Sequence, residues 1–131
     1  MIKLLHIDKG IPQGIVDMVV AIEKNLKDEN LELSYHIISR LGECDRKHSY
    51  TASDLLRCVK GLKNSPSAPF EVEIECLPNA VIVITKYVVR ITFNRFQDLC
   101  VAIRGNKIIT AWLNSKNDNH KTVDLSKYDT L

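Results

Sequence analysis

The sequence predicts an α+β domain: N-terminal helices packed on a C-terminal antiparallel sheet of about four strands. Three observations predict it. Apolar residues recur at helical spacing from about residue 12 to 63. They recur at spacing two from about residue 70 to 114. Between the two regions, Asn64-Ser65-Pro66-Ser67-Ala68-Pro69 is dense in turn formers. A chain of 131 residues, 45% apolar and 26% charged, is read as a single domain spanning 1–131 that can bury a real core.

The elements follow in order. Pro12 suits a helix start, and Ile15, Met18, Val19, Ile22 and Leu26 put a helix at about 12–27. Lys27-Asp28-Glu29-Asn30 breaks it. Leu33, Ile37, Ile38 and Leu41 fit a second helix, which Gly42 stops. Residues 43–50 are charged and read as a loop. Thr51 or Ser53 can cap a third helix that carries Leu55, Leu56, Val59 and Leu62. Val72, Ile74 and Cys76 then alternate with Glu71, Glu73 and Glu75, which describes a strand with one wet face. Pro78-Asn79 turns the chain. Residues 81–93 form one long strand, or one strand with a bulge. Leu99 to Arg104 and Lys107 to Leu113 flank Gly105-Asn106, a hairpin signal that asks for positive φ. From Asn114 onward the chain is a polar C-terminal loop.

A net charge of +2 is too small to imply nucleic acid by itself. Its distribution says more: residues 86–121 hold seven Lys/Arg and two Asp/Glu, so this half is the candidate for an anionic partner. No apolar run approaches the ~20 residues of a membrane span, and Asp8 and Lys9 interrupt the N-terminal apolar stretch too early for a signal peptide. Cys44, Cys58, Cys76 and Cys100 are irregularly spaced, and the last three sit in apolar runs. Buried free thiols fit them better than disulfides, so a cytoplasmic protein is expected, monomeric or homodimeric, with no membrane partner.

Two clusters carry candidate chemistry. His36 and Arg40 are four apart on a helix and share a face. Imidazole beside guanidinium can bind phosphate, and Arg46, Lys47 and His48 follow closely. A solvated polar helix face is the plainer account of the pair alone. In the late cluster, His120 lies with Asn114, Asn117, Asp118 and Thr122, and Asp118 can orient it as a general base. A surface histidine is the simpler alternative. Trp112 is the one tryptophan; it either stacks on a base or fills the core. Lys86 and Arg90 alternate with Tyr87 along their strand, so a basic sheet face is possible, as are solvated edge charges. No metal site is expected: Cys44 and His48 lack a second ligand pair, and the three glutamates lack a facing partner. No cofactor is expected either, since there is no glycine-rich phosphate loop.

A helical half carrying His36-x3-Arg40, then a sheet ending in a polar, histidine-bearing loop, resembles the metal-independent endoribonuclease group. That group spans barnase, EndoU-like, colicin-type and RelE-type enzymes of toxin and phage origin. The resemblance covers residues 33–125 and rests on element order and a loose motif. It implies transesterification of RNA, with His36 and His120 as acid and base and Arg40 beside them. It also implies Arg46 and Lys47 on phosphate, and Trp112, Asn114 and Thr122 against the substrate. The chain departs from the toxin-like branch at Glu43-Cys44, where a second arginine is usual; here Arg46 follows instead. A cognate inhibitor or host protein is an expected partner besides RNA. The contrasting expectation is a non-catalytic module that binds a host or partner protein, pairing through its apolar 81–93 segment.

Overall fold

The computed structural model describes residues 1–26, 31–40 and 49–118, with the backbone alone at His36 and Arg40. In chain order the elements are β1 (Ile2–His6), α1 (Gln13–Lys24), β2 (Glu32–Leu33), α2 (Tyr35–Arg40) and α3 (Ala52–Lys60). The strands β3 (Pro69–Cys76), β4 (Ile82–Thr92), β5 (Gln97–Arg104) and β6 (Lys107–Ser115) follow. They build one sheet in the order β1-β3-β4-β5-β6-β2. Every pairing is antiparallel except β2 with β6.

Helix and sheet coexist as expected, but the layout differs. The sheet has six strands, not about four, and it is mixed. Two strands come from the N-terminal half. β1 was hidden because Ile2-Lys3-Leu4-Leu5-His6 is short and gives no clean alternation. Leu33, read as helical, pairs with Ile108 in a two-residue parallel strand, so α2 starts at Tyr35 and not before Leu33. β6 continues through Asn114 to Ser115, so the polar C-terminal segment starts later than its composition suggests.

Local chemistry sets the helix ends. The Thr51 hydroxyl accepts from the Asp54 N–H at 3.0 Å, and the Asp54 carboxylate accepts from the Thr51 N–H at 3.1 Å. This reciprocal box starts α3. The Thr51 N–H donated to it, with Arg57 adding to the effect, holds the Asp54 carboxyl below its ordinary value. In α1, Ile15, Val19 and Glu23 face inward.

Strand parity is reset by three extra residues. The pairings skip Phe70 in β3, Thr85 in β4 and Ile109 in β6. Because of Thr85, both Ile84 and Tyr87 belong to the helix-side core. Gly105 has φ +60° and Asn106 does not have positive φ, so only the first position of the β5–β6 turn needs the glycine.

Two apolar clusters share the sheet, one per face. On the helix side, Val72, Tyr87, Val89, Leu99, Val101, Ile103 and Ile108 pack against Val19, Ile37, Leu55 and Val59. A buried aliphatic side chain of this size contributes roughly 1.5–3 kcal/mol. On the other face, Phe70, Val88, Cys100 and Ala102 cluster with Ile109 and Trp112. Among the described residues that cluster contains strand residues only.

The face expected to be wet is covered. Glu71 and Glu73 are buried, at 5% and 8% exposure. Glu73 accepts from the Thr85 hydroxyl at 2.7 Å and lies 3.9 Å from the Lys86 ammonium and 3.7 Å from the Arg104 guanidinium. The expectation of pairing through residues 81–93 is narrowed. β4 lies between β3 and β5, with residues 82–89 paired to β3 and 87–92 to β5, so 82–86 has a strand neighbour on the β3 side alone; the outermost strands are β1 and β2.

Candidate functional site

Ser34 sets the position of α2. Its N–H donates to the Ile108 carbonyl at 3.0 Å. Its hydroxyl donates to the Ile109 carbonyl at 2.8 Å and accepts from the Ile37 N–H at 3.3 Å. Ser34 is therefore both the N-cap of α2 and its anchor to β6. Ile37 enters the core at 1% exposure, while Tyr35 and Ile38 face out. The α2 backbone carries His36 just before Ile37 and Arg40 three residues after it.

The chain is fixed to β6 a second time at Tyr50. This side chain is buried, and its hydroxyl donates to the Ala111 carbonyl at 2.8 Å. Ser34 and Tyr50 lie either side of the segment that holds Arg46 and Lys47. Both therefore bind neighbouring carbonyls of one strand, Ile109 and Ala111.

That strand carries Trp112 and Asn114. Trp112 sits opposite Cys100, and Asn114 opposite Asp98. Trp112 packs at the margin of the second apolar cluster, partly buried. This is intermediate between the stacking and core readings of its sequence. Asn114 is nearly buried, and its amide donates to the Asp118 carbonyl at 3.3 Å.

Arg90 gathers the exit of β6. Its guanidinium donates to the Asp118 carbonyl and, at 2.6 Å, to the Ser115 carbonyl. It also lies 3.3 Å from the Asp98 carboxylate. Lys116 meets the same carboxylate at 2.7 Å. Asp98 thus balances two cations. The basic sheet face is mostly a set of internal ion pairs: Lys86 and Arg104 on Glu73, Arg90 and Lys116 on Asp98. Cys100 beneath them is fully buried, and desolvation pushes its thiol up to about 12.

The helix side holds a different arrangement. Glu23 has no exposed surface, and burial raises its carboxyl from 4.5 to about 7, against a smaller lowering by the Ser67 N–H it accepts at 2.9 Å. Among the described residues, its other oxygen and the Tyr87 hydroxyl have no hydrogen-bond partner. Burial first, and the nearby Glu23 second, raise the Tyr87 phenol. A cavity of about 330 Å³ beside Tyr87 is lined by Ile22, Leu26, Ile84 and Ile103 among others. Neither Trp112 nor Asn114, the two expected site residues described in full, lines it.

Of those residues, Trp112 and Asn114 are described in full and share one face of β6. The backbones of His36 and Arg40 stand on α2, against the same strand. Arg46, Lys47, His120 and Thr122 lie outside the described residues. Sequence reading missed Ser34 and Asp98, assigned Arg90 to a basic sheet face and did not foresee the anchoring bond of Tyr50; these four residues position the parts. Ser34 carried a legible signal, a capping residue just before Ile37 and Ile38. Among the described residues, no group of three or more metal-ligating side chains occurs. No helix among them is long and apolar enough to cross a membrane. Comparison with family models, with curated proteins and with solved structures returns no match.

Proposed function

We propose that this chain is a metal-independent endoribonuclease that cleaves RNA by transesterification. One observation supports the reading more than any other. β6 is the common anchor of both candidate clusters, because Ser34 and Tyr50 bind it on either side of the early cluster and the late cluster continues from its end.

In the proposed reaction the ribose 2′-oxygen attacks phosphorus and loses its proton to one of His36 and His120. The bond to the 5′-oxygen breaks, and the other histidine protonates that oxygen. The products are a 2′,3′-cyclic phosphate and a 5′-hydroxyl. Arg40, Arg46 and Lys47 stabilise the charge that builds on phosphate. Trp112, Asn114 and Thr122 contact the flanking nucleotides. An RNA substrate places the activity in a cytoplasm, where a cognate inhibitor or host protein would restrain it.

The test is incubation of single-stranded RNA with the protein in EDTA. Cyclic phosphate ends are expected, and His36→Ala or His120→Ala should abolish them. RNA left intact at high protein concentration overturns the reading.

A second reading, a module that binds a protein partner without catalysis, has its own support. Met1, Ile2, Val81, Ile82 and Val83 are exposed and sit together at one corner, because Ile2 pairs with Glu75 and Glu75 with Val83. Stoichiometric capture of a partner, undisturbed by His36→Ala and lost with Val83→Lys, would establish it.

A further inference from the structure

The tip of the β4–β5 hairpin is held by Asn94. Its carbonyl oxygen accepts from the Phe96 N–H at 2.9 Å and the Gln97 N–H at 2.8 Å, and its amide donates to the Gln97 side chain at 3.1 Å. The Phe93 and Asn94 N–H groups both donate to the Gln97 carbonyl at 3.1 Å. The turn is therefore built by Asn94 and the backbone. Phe96 takes part in it through its backbone, and its side chain is 73% exposed. Arg95 places its guanidinium 5.6 Å from the centre of the Phe96 ring.

The tip is also tied to the exit of β6, since the Lys116 N–H donates to the Phe96 carbonyl at 3.1 Å. His120 is four residues further along, a covalent span of at most about 14 Å. A phenyl ring held out from a hydrogen-bonded turn, with a cation against it, stands at the same end of the sheet as Asn114 and Asp118.

Resting on the ribonuclease reading, we infer that Phe96 is a stacking platform for an unpaired RNA base flanking the cleaved bond, with Arg95 drawing in the adjoining phosphate. Any base offers a face to a phenyl ring, so the contact tolerates sequence variation. The guanidinium adds a cation–π contact and a phosphate partner. Because the turn is already hydrogen-bonded, little freedom is lost on binding. Phe96 acts on binding and register and takes no part in proton transfer.

The probe is a set of single-stranded 2′-O-methyl oligonucleotides carrying 2-aminopurine, which cannot be cleaved by 2′-oxygen attack and whose fluorescence falls on stacking. Wild-type protein should bind and quench it. Phe96→Ala should abolish the quench and weaken binding about tenfold, and Phe96→Trp should restore both. Arg95→Gln should lower the slope of log affinity against log salt by about 0.7. On cleavable RNA, Phe96→Ala should raise KM and redistribute the cut sites with kcat nearly unchanged.

Quenching and affinity unchanged in Phe96→Ala overturn the platform, even where RNA is cleaved. Phe96-dependent binding without cleavage by the wild type keeps the platform and removes the nuclease. A wild-type protein that binds none of the oligonucleotides overturns both, as does Phe96-dependent capture of a protein in their place.

Discussion

Tyr50 and Ala111 are joined by a buried hydrogen bond of 2.8 Å across 61 residues of sequence. The Tyr50 ring belongs to the main core, and its hydroxyl reaches the middle of β6. Tyr50→Phe keeps the ring and removes the bond. Removing a buried partner costs about 1–3 kcal/mol. The variant should unfold at lower urea with the slope unchanged, and RNA cleavage should fall more than folded protein does. Stability equal to wild type would show that the bond contributes nothing.

Ser34 makes three backbone contacts with one small side chain and its own N–H. Ser34→Ala should cost about 1–2 kcal/mol by loss of the cap and the β6 anchor together. Thr should retain most of it. Amide exchange at Ile37 and Ile38 should quicken in the alanine variant; unchanged exchange there would separate α2 from this anchor.

Glu23 gives the fold a pH dependence of definite sign. Its folded value of about 7 lies above its ordinary 4.5 because burial disfavours the charged form. The folded protein then holds the proton more tightly than the unfolded chain does. The stabilisation is complete below about pH 4.5, falls as pH rises towards 7, and is lost above it. Glu23→Gln keeps an acceptor for the Ser67 N–H and removes the titration. Between pH 5 and 8, wild type should lose roughly 2–3 kcal/mol relative to the variant. Parallel stability profiles for the two proteins would refute the assignment.

Arg90 and Asp98 form the joint at the exit of β6, and both are largely shielded from water. Arg90→Met should leave the Ser115 carbonyl to the Asp118 N–H, the Asp118 carbonyl to the Asn114 amide, and Asp98 to Lys116. Amide exchange at Lys116 and Asp118 should rise, and cleavage should fall through kcat. The double variant Arg90→Met, Asp98→Asn should be less destabilised than the sum of the two, because each single change strands a partly buried partner. Strict additivity would argue that the pair is uncoupled.

Much of the helical architecture was legible from residue spacing. Ile15, Val19, Ile22 and Leu26 marked α1, and Thr51 or Ser53 bracketed the start of α3, where the cap is Thr51. The errors have physical causes. Leu33 fits helical spacing with Ile37, but parallel pairing with Ile108 overrode that local preference. The alternation of Glu71, Glu73 and Glu75 with apolar residues correctly separated two faces. It did not reveal that Lys86 and Arg104, brought alongside by two neighbouring strands, would bury the acidic one. The bulges at Phe70, Thr85 and Ile109 cannot be counted from composition. At the site, sequence singled out residues with suitable chemistry. What brings α2 to β6 is a pair of bonds from Ser34 and Tyr50 that span 75 and 61 residues, and no local pattern encodes such contacts.

The two borders of the sheet are unequal. β2 offers only two residues and leads straight into α2, whereas β1 presents five residues beside the apolar corner. Among the described residues β1 is the longer of the two outer borders, while residues 82–86 of β4 also have a strand neighbour on one side alone. Two molecules joined antiparallel through β1 would each cover that border in the same step, so growth through β1 ends at a pair.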